Sequence, residues 1–230
     1  MAKGRRPSPR RGAPQGSDED AFSARVLEFV LWARQRVEVL IGAGVVVVLL
    51  VVGGIYYMNQ RADRMARAAT ELEVIQQTIP FVPPEEWVQQ LDQFLARFGG
   101  TPYEVEARLV YGELLLEEGR AQEAVEVLRE VAPAYRNPLG LQATFLLAVA
   151  YEEVEAWAEA MRIYGELENR AEFTFQRQEA AEGLARTALA QGDSATAIQA
   201  YQRLVEGAEE RQELQSYFEM RLAELTGEVP

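Results

Sequence analysis

From Val39 to Met58 the chain runs twenty residues of Val, Leu, Ile, Gly, Ala, Tyr and Met without one charged or amide side chain. Wound as an α-helix at about 1.5 Å per residue, such a stretch reaches roughly 30 Å, the thickness of a bilayer's hydrocarbon core. The valine run Val45 to Val48 would suit a buried strand, but strands rarely exceed about ten residues and this segment is twice as long. A cleaved secretory leader has an apolar core of about 7–15 residues behind a short basic start. Here the apolar stretch begins only after 38 residues. The segment therefore reads as an anchor, a transmembrane helix over residues 37–60. Trp32 precedes it and Tyr56 with Tyr57 close its far end, positions where amphipathic rings favour the membrane interfaces.

Charge divides the chain at this anchor. Residues 1–36 carry eight Lys/Arg against four Asp/Glu, whereas residues 61–230 carry fifteen against thirty-one. The acidic body repels polyanions, so no nucleic-acid partner is expected, and the basic front suits an anionic lipid bilayer. Arg25, Arg34 and Arg36 before the span are matched by Arg61, Arg64 and Arg67 beyond it. Lys3, Arg5, Arg6, Arg10 and Arg11 tip the count and favour an N-terminus inside the cell. Residues 1–18 are rich in Pro, Gly, Ser and Arg and read as a disordered basic tail. Over residues 19–36, Phe22, Val26, Phe29, Val30 and Ala33 recur at helical spacing, with Asp18 as a start signal. This amphipathic juxtamembrane helix would lie in the headgroup region, dock a partner, or extend the span.

Beyond the span, residues 61–230 show an internal repeat. Aligning Gly112, Ala148 and Ala185 brings Tyr111, Leu147 and Leu184 into register just before them. It also aligns Ala124, Ala160 and Ala197, then Leu128, Tyr164 and Tyr201. A large residue beside Gly or Ala in one helix, then Ala and a large residue in the next, is the tetratricopeptide pattern. The small residues sit where paired helices cross closely and the large ones fill the gap to the next repeat. Gly119 with Arg120, and Gly192 with Asp193, stand where the first helix of a pair should end and the second begin. The middle repeat departs from this with Glu155, Ala156 and Trp157. Pro83 and Pro84 open an earlier helix that closes at Gly99 and Gly100, and the stretch from Arg61 to Ile79 should continue the membrane helix and pair with it. The fold class is all-α: an N-terminal transmembrane helix, then a right-handed tetratricopeptide-type solenoid. Its parts are a helix pair, repeats at about 105–138, 141–174 and 178–208, and a capping helix at 209–226. A generic helical bundle would share the alternation but not four columns at a near-constant period.

Such a stack offers a concave surface made by the first helix of each pair. Threading the repeat places Glu106, Leu109, Glu113 and Leu116 there, then Gln142, Phe145, Val149 and Glu152, then Glu179, Glu182, Arg186 and Leu189. Only Arg186 is basic, which disfavours capture of a partner's C-terminal carboxylate and suits a segment with apolar anchors and some basic charge. The glutamates read equally as a solvated face, and Phe145 as core. Cys and His are absent, which removes thiol nucleophiles, Ser-His-Asp triads and ordinary zinc sites. No phosphate-binding loop or H-E-x-x-H motif occurs either. Carboxylate pairs such as Glu117 with Glu118 are common on acidic helices. No catalytic residue, metal or cofactor is expected.

The order of parts carries a family resemblance. An amphipathic VLEFVLWARQR, a valine- and glycine-rich span ending in GGIYYMNQ, the run RADRMARAAT and the repeat YEVEARLVYGELLLEEGRAQEAVEVLREV follow one another over about residues 22–226. This resembles the YfgM-like ancillary subunit of the bacterial SecYEG translocon. The resemblance implies a single-pass inner-membrane protein with a cytoplasmic N-terminus and a periplasmic repeat domain. Implied partners are translocon subunits, a membrane-anchored periplasmic chaperone of the peptidyl-prolyl isomerase class, and secreted polypeptides. Two alternatives stay open: a scaffold for outer-membrane or peptidoglycan assembly, and a cytoplasmic-facing adaptor of reversed topology.

Overall fold

Proline and glycine punctuate the sequence beyond the span, and the helices fall between them. The computed structural model describes residues 25, 28, 32–34, 36–208 and 211–227. The expected tail at 1–18 and most of the amphipathic segment 19–36 lie outside them, as do the first two residues of the expected cap, Glu209 and Glu210. The chain divides into two compact units, residues 1–61 and 62–230.

Helix α1, Val37–Thr78, is unbroken for 42 residues. No proline interrupts it until Pro80, where a short 3-10 turn, Ile79–Phe81, ends it. In the first unit its side chains are exposed from Val37 through Arg61, including Val45 to Val48, Leu49 and Leu50. The most apolar window has a mean hydropathy of 2.7 and none of it is buried. This is a helix long and apolar enough to cross a membrane, and among the described residues, unlike a soluble core helix, its apolar surface is left exposed.

In the second unit the described residues form helices joined by short turns, without a strand. The helices are the remainder of α1, then α2 (Pro84–Phe98), α3 (Tyr103–Glu117), α4 (Ala121–Arg129), α5 (Pro138–Glu153), α6 (Trp157–Arg170), α7 (Thr174–Gln191), α8 (Ser194–Gly207) and α9 (Gln212–Thr226). Pro84 starts α2 with its φ preset, and Glu85 and Glu86 in the first turn complement the helix dipole. At the other end of α2, the Arg64 guanidinium donates to the carbonyls of Arg97 (2.9 Å) and Gly99 (3.0 Å). Backbone acceptors that α2 leaves without intrahelical partners are thereby satisfied. Leu72 and Ile75 of α1 join Trp87, Leu91 and Phe94 of α2 in the core, and Arg97 pairs with Glu71 at 2.7 Å.

Helices α3/α4, α5/α6 and α7/α8 form three pairs built alike. A Cβ on Gly112 would lie 2.6 Å from the Leu128 side chain, so the small residue is what lets α3 and α4 cross there. Each pair turns through the same device. Gly119 (φ 70°) and Gly192 (φ 85°) take the left-handed conformation. The next amide reaches back five residues, Arg120 to the Leu115 carbonyl at 2.7 Å and Asp193 to Ala188 at 2.8 Å. The middle turn does likewise without a glycine: Glu155 is left-handed at φ 57°, and Ala156 bonds the Tyr151 carbonyl at 2.8 Å. Among the described residues Glu155 is the one non-glycine with positive φ. Its Cβ strains a conformation that costs an L-residue about 1 kcal/mol. Helix α9 closes the stack by burying Phe218 against Tyr201, ring centroids 6.5 Å apart.

Candidate protein-binding groove

The first helices of the pairs, α3, α5 and α7, carry the twelve residues assigned to the groove, and their burial separates them into two sets. On α3, Leu109 is 5% exposed and belongs to the core, because α3 and α5 pack directly against each other. Leu116 is half-buried against the same core, Glu106 accepts a hydrogen bond from Gln76 of α1 at 3.3 Å, and Glu113 is exposed. These four do not share a cavity. Helices α5 and α7 stand farther apart than α3 and α5, and Glu152 of α5 joins them through Arg186 and Thr187 of α7. Between them opens a cavity of about 310 Å³, lined by Gln142, Phe145 and Val149 of α5 and Glu179, Glu182 and Arg186 of α7. Leu146 and Tyr164 complete its lining. Leu189, farther along α7, is half-buried against the core.

Tyr164 enters from α6 and is 2% exposed. It lies against Gly183, where a Cβ would come within 2.5 Å of its ring. Burial first, and then the charge of Glu152, push the Tyr164 hydroxyl well above the ordinary phenol range, so it stays protonated. The repeat pattern gave Tyr164 a packing role; its further part in the cavity, like that of Leu146, follows only from which helices stand apart.

One fork spans the cavity. Arg186 donates from Nε to Glu152 Oε2 and from Nη2 to Glu152 Oε1, both at 3.0 Å. The Thr187 hydroxyl lies 2.6 Å from Glu152 Oε1, and Arg186 Nη2 also reaches the Tyr164 hydroxyl at 3.4 Å. Parallel bidentate bonds fix the guanidinium in a plane, so the single cation of the groove is already partnered by a carboxylate of its own chain. Among the described residues no ion pair engages Glu179 or Glu182. Burial holds the Glu182 carboxyl above its usual range, against a hydrogen bond from Gln178 and the charge of Arg186, while Glu179 pushes the same way as burial.

What this arrangement can do is bind. Among the described residues no group of three His, Cys, Asp or Glu is placed to hold a metal ion, and no buried side-chain nitrogen or oxygen lacks a partner. The apolar Phe145, Leu146 and Val149 line the cavity together with the carboxylates Glu179 and Glu182.

The tetratricopeptide repeat-like domain family matches residues 31–227. No curated protein and no solved structure matches the chain. Tetratricopeptide repeat-like domains are typically non-catalytic modules that bind other proteins. With three helix pairs turning on the same left-handed device, and a match covering most of its length, the chain belongs to the tetratricopeptide repeat-like domain family.

Proposed function

We propose that this protein is a membrane-anchored ancillary factor of bacterial protein export, with its N-terminus in the cytoplasm and its repeat domain in the periplasm. It associates there with the translocon and a membrane-anchored chaperone and meets secreted chains as they emerge. The observation that carries this reading is one chain joining an apolar helix, Val39 to Met58 exposed along its length, to a repeat domain of a protein-binding family. The resemblance in the order of basic front, span and repeats, and the excess of Lys and Arg before the span, support the assignment and its orientation.

Crosslinking in native membranes tests it. A photoreactive residue in place of Phe145 should give adducts with translocon subunits, a periplasmic chaperone or many secreted chains. Adducts confined to outer-membrane or wall-assembly proteins would replace the export role with a scaffold of the envelope. Protease added to spheroplasts should degrade the acidic domain; a protected domain would reverse the topology.

A further inference from the structure

The geometry points to the cleft between α5 and α7 as a receptor for a lysine or arginine side chain of a partner segment whose neighbouring residues are apolar. This rests on the reading that the domain binds polypeptides and names the chemistry the cleft selects. Phe145 and Val149 offer a wall for an aliphatic stem, and Glu179 and Glu182 stand opposite on α7. Arg186, the only cation lining the cleft, is held in its fork by Glu152, whose side chain is 14% exposed. The fork is neutral as a pair, which leaves the two carboxylates of α7 to set the sign. A partner carboxylate would share Arg186 with Glu152, whose charge already offsets it, and sit beside Glu179 and Glu182. A partner cation displaces nothing. Glu182 is half-buried, and that burial raises its carboxyl above the usual range. A cation arriving there supplies the counter-charge that burial withholds, and the gain is larger than at a fully solvated glutamate.

The test uses the full-length protein in nanodiscs and fluorescent peptides blocked at both ends, each a leucine- and alanine-rich segment with one central variable residue. Lysine at that residue should bind at least about tenfold more tightly than norleucine, as a charge-assisted hydrogen bond requires, and glutamate should bind worst. The peptide comparison needs no variant of the protein, so loss of folding cannot imitate it. Glu179→Gln with Glu182→Gln should erase the lysine preference and leave norleucine binding unchanged, whereas Phe145→Ala should weaken both peptides together. Equal or tighter binding of the norleucine or glutamate peptide, a lysine preference that survives the double substitution, or no binding of any peptide would each overturn the assignment. The outcome is separate from the membrane crosslinking. Lysine preference without translocon adducts would remove the export role and leave the cleft its specificity; adducts without lysine preference would do the reverse.

Discussion

Between α3 and α5 the stack is closed, and between α5 and α7 it is open, although the two junctions join equivalent helices of the same repeat. The two junctions differ at one register position. Leu109, Phe145 and Glu182 occupy the same place in successive repeats. In the first repeat the leucine is buried and its helix closes on the next. In the third, a carboxylate stands there that cannot be buried without losing its water. The phenylalanine of the middle repeat is left half-buried, and Glu152 reaches Arg186 and Thr187 across the gap. A closed junction yields stability, and an open one yields a surface that can accept a side chain.

Moving the residue of one junction into the other should break the contrast, and the largest effect is expected from Leu109→Glu. It removes a buried leucine, a loss of about 2–5 kcal/mol, and strands a carboxylate in the core. Urea unfolding of the full chain in detergent should show the drop, and an unchanged midpoint would mean that Leu109 does not hold the closed junction. Next comes Gly183→Ala. Its methyl collides with the Tyr164 ring at 2.5 Å, so overpacking of about 1–3 kcal/mol should appear in the same measurement. Glu182→Leu should act in the opposite sense. Replacing a half-buried carboxylate by an apolar side chain lets α7 close on α5, gaining about 1 kcal/mol and abolishing the preference for a lysine peptide.

Two smaller effects sharpen the picture. Glu155→Gly places in the middle turn the residue that its sister turns use, and relief of the left-handed strain should add about 0.5–1 kcal/mol. By calorimetry that is a rise in Tm of about 1–4 °C; no rise would mean that the Glu155 side chain compensates the strain. The smallest effect is a pH slope. Burial raises the Glu182 carboxyl in the folded chain, so the native state holds that proton longer than the unfolded one. Its contribution is complete below the ordinary carboxylate pKa and is lost as pH rises through the raised value. The groups around it are Gln178, Glu179 and Arg186 on its own helix, with Glu152 of α5 and Tyr164 of α6 engaging Arg186. Glu182→Gln should flatten the unfolding free energy across that window relative to the parent protein. A slope that persists would place its source at another carboxylate.

How far the fold was legible depends on the range of the interactions that set it. The long apolar helix follows from twenty residues in a row, and the turns at Gly119 and Gly192 follow from residues whose conformational preference is their own. The middle turn carried no such mark. Glu155 adopts the left-handed geometry because the helices on either side demand it, and a glutamate in sequence gives no sign of that. Threading the repeat put twelve residues on one face, and six of them, Gln142, Phe145, Val149, Glu179, Glu182 and Arg186, line one cavity. Leu109 left the surface because its neighbours close over it, a fact of volume and not of register.

Read alone, the chain of amino acids determines an apolar helix of membrane length, an acidic body and three helix pairs in a fixed register. Hydrophobic periodicity and turn chemistry act within a few residues and are written into the sequence directly. Which junction opens was decided by packing in three dimensions, as was the commitment of Arg186 to Glu152, 34 residues away. Both turn on the distance between helices, and that distance is set by the combined volume and charge of side chains from repeats far apart along the chain.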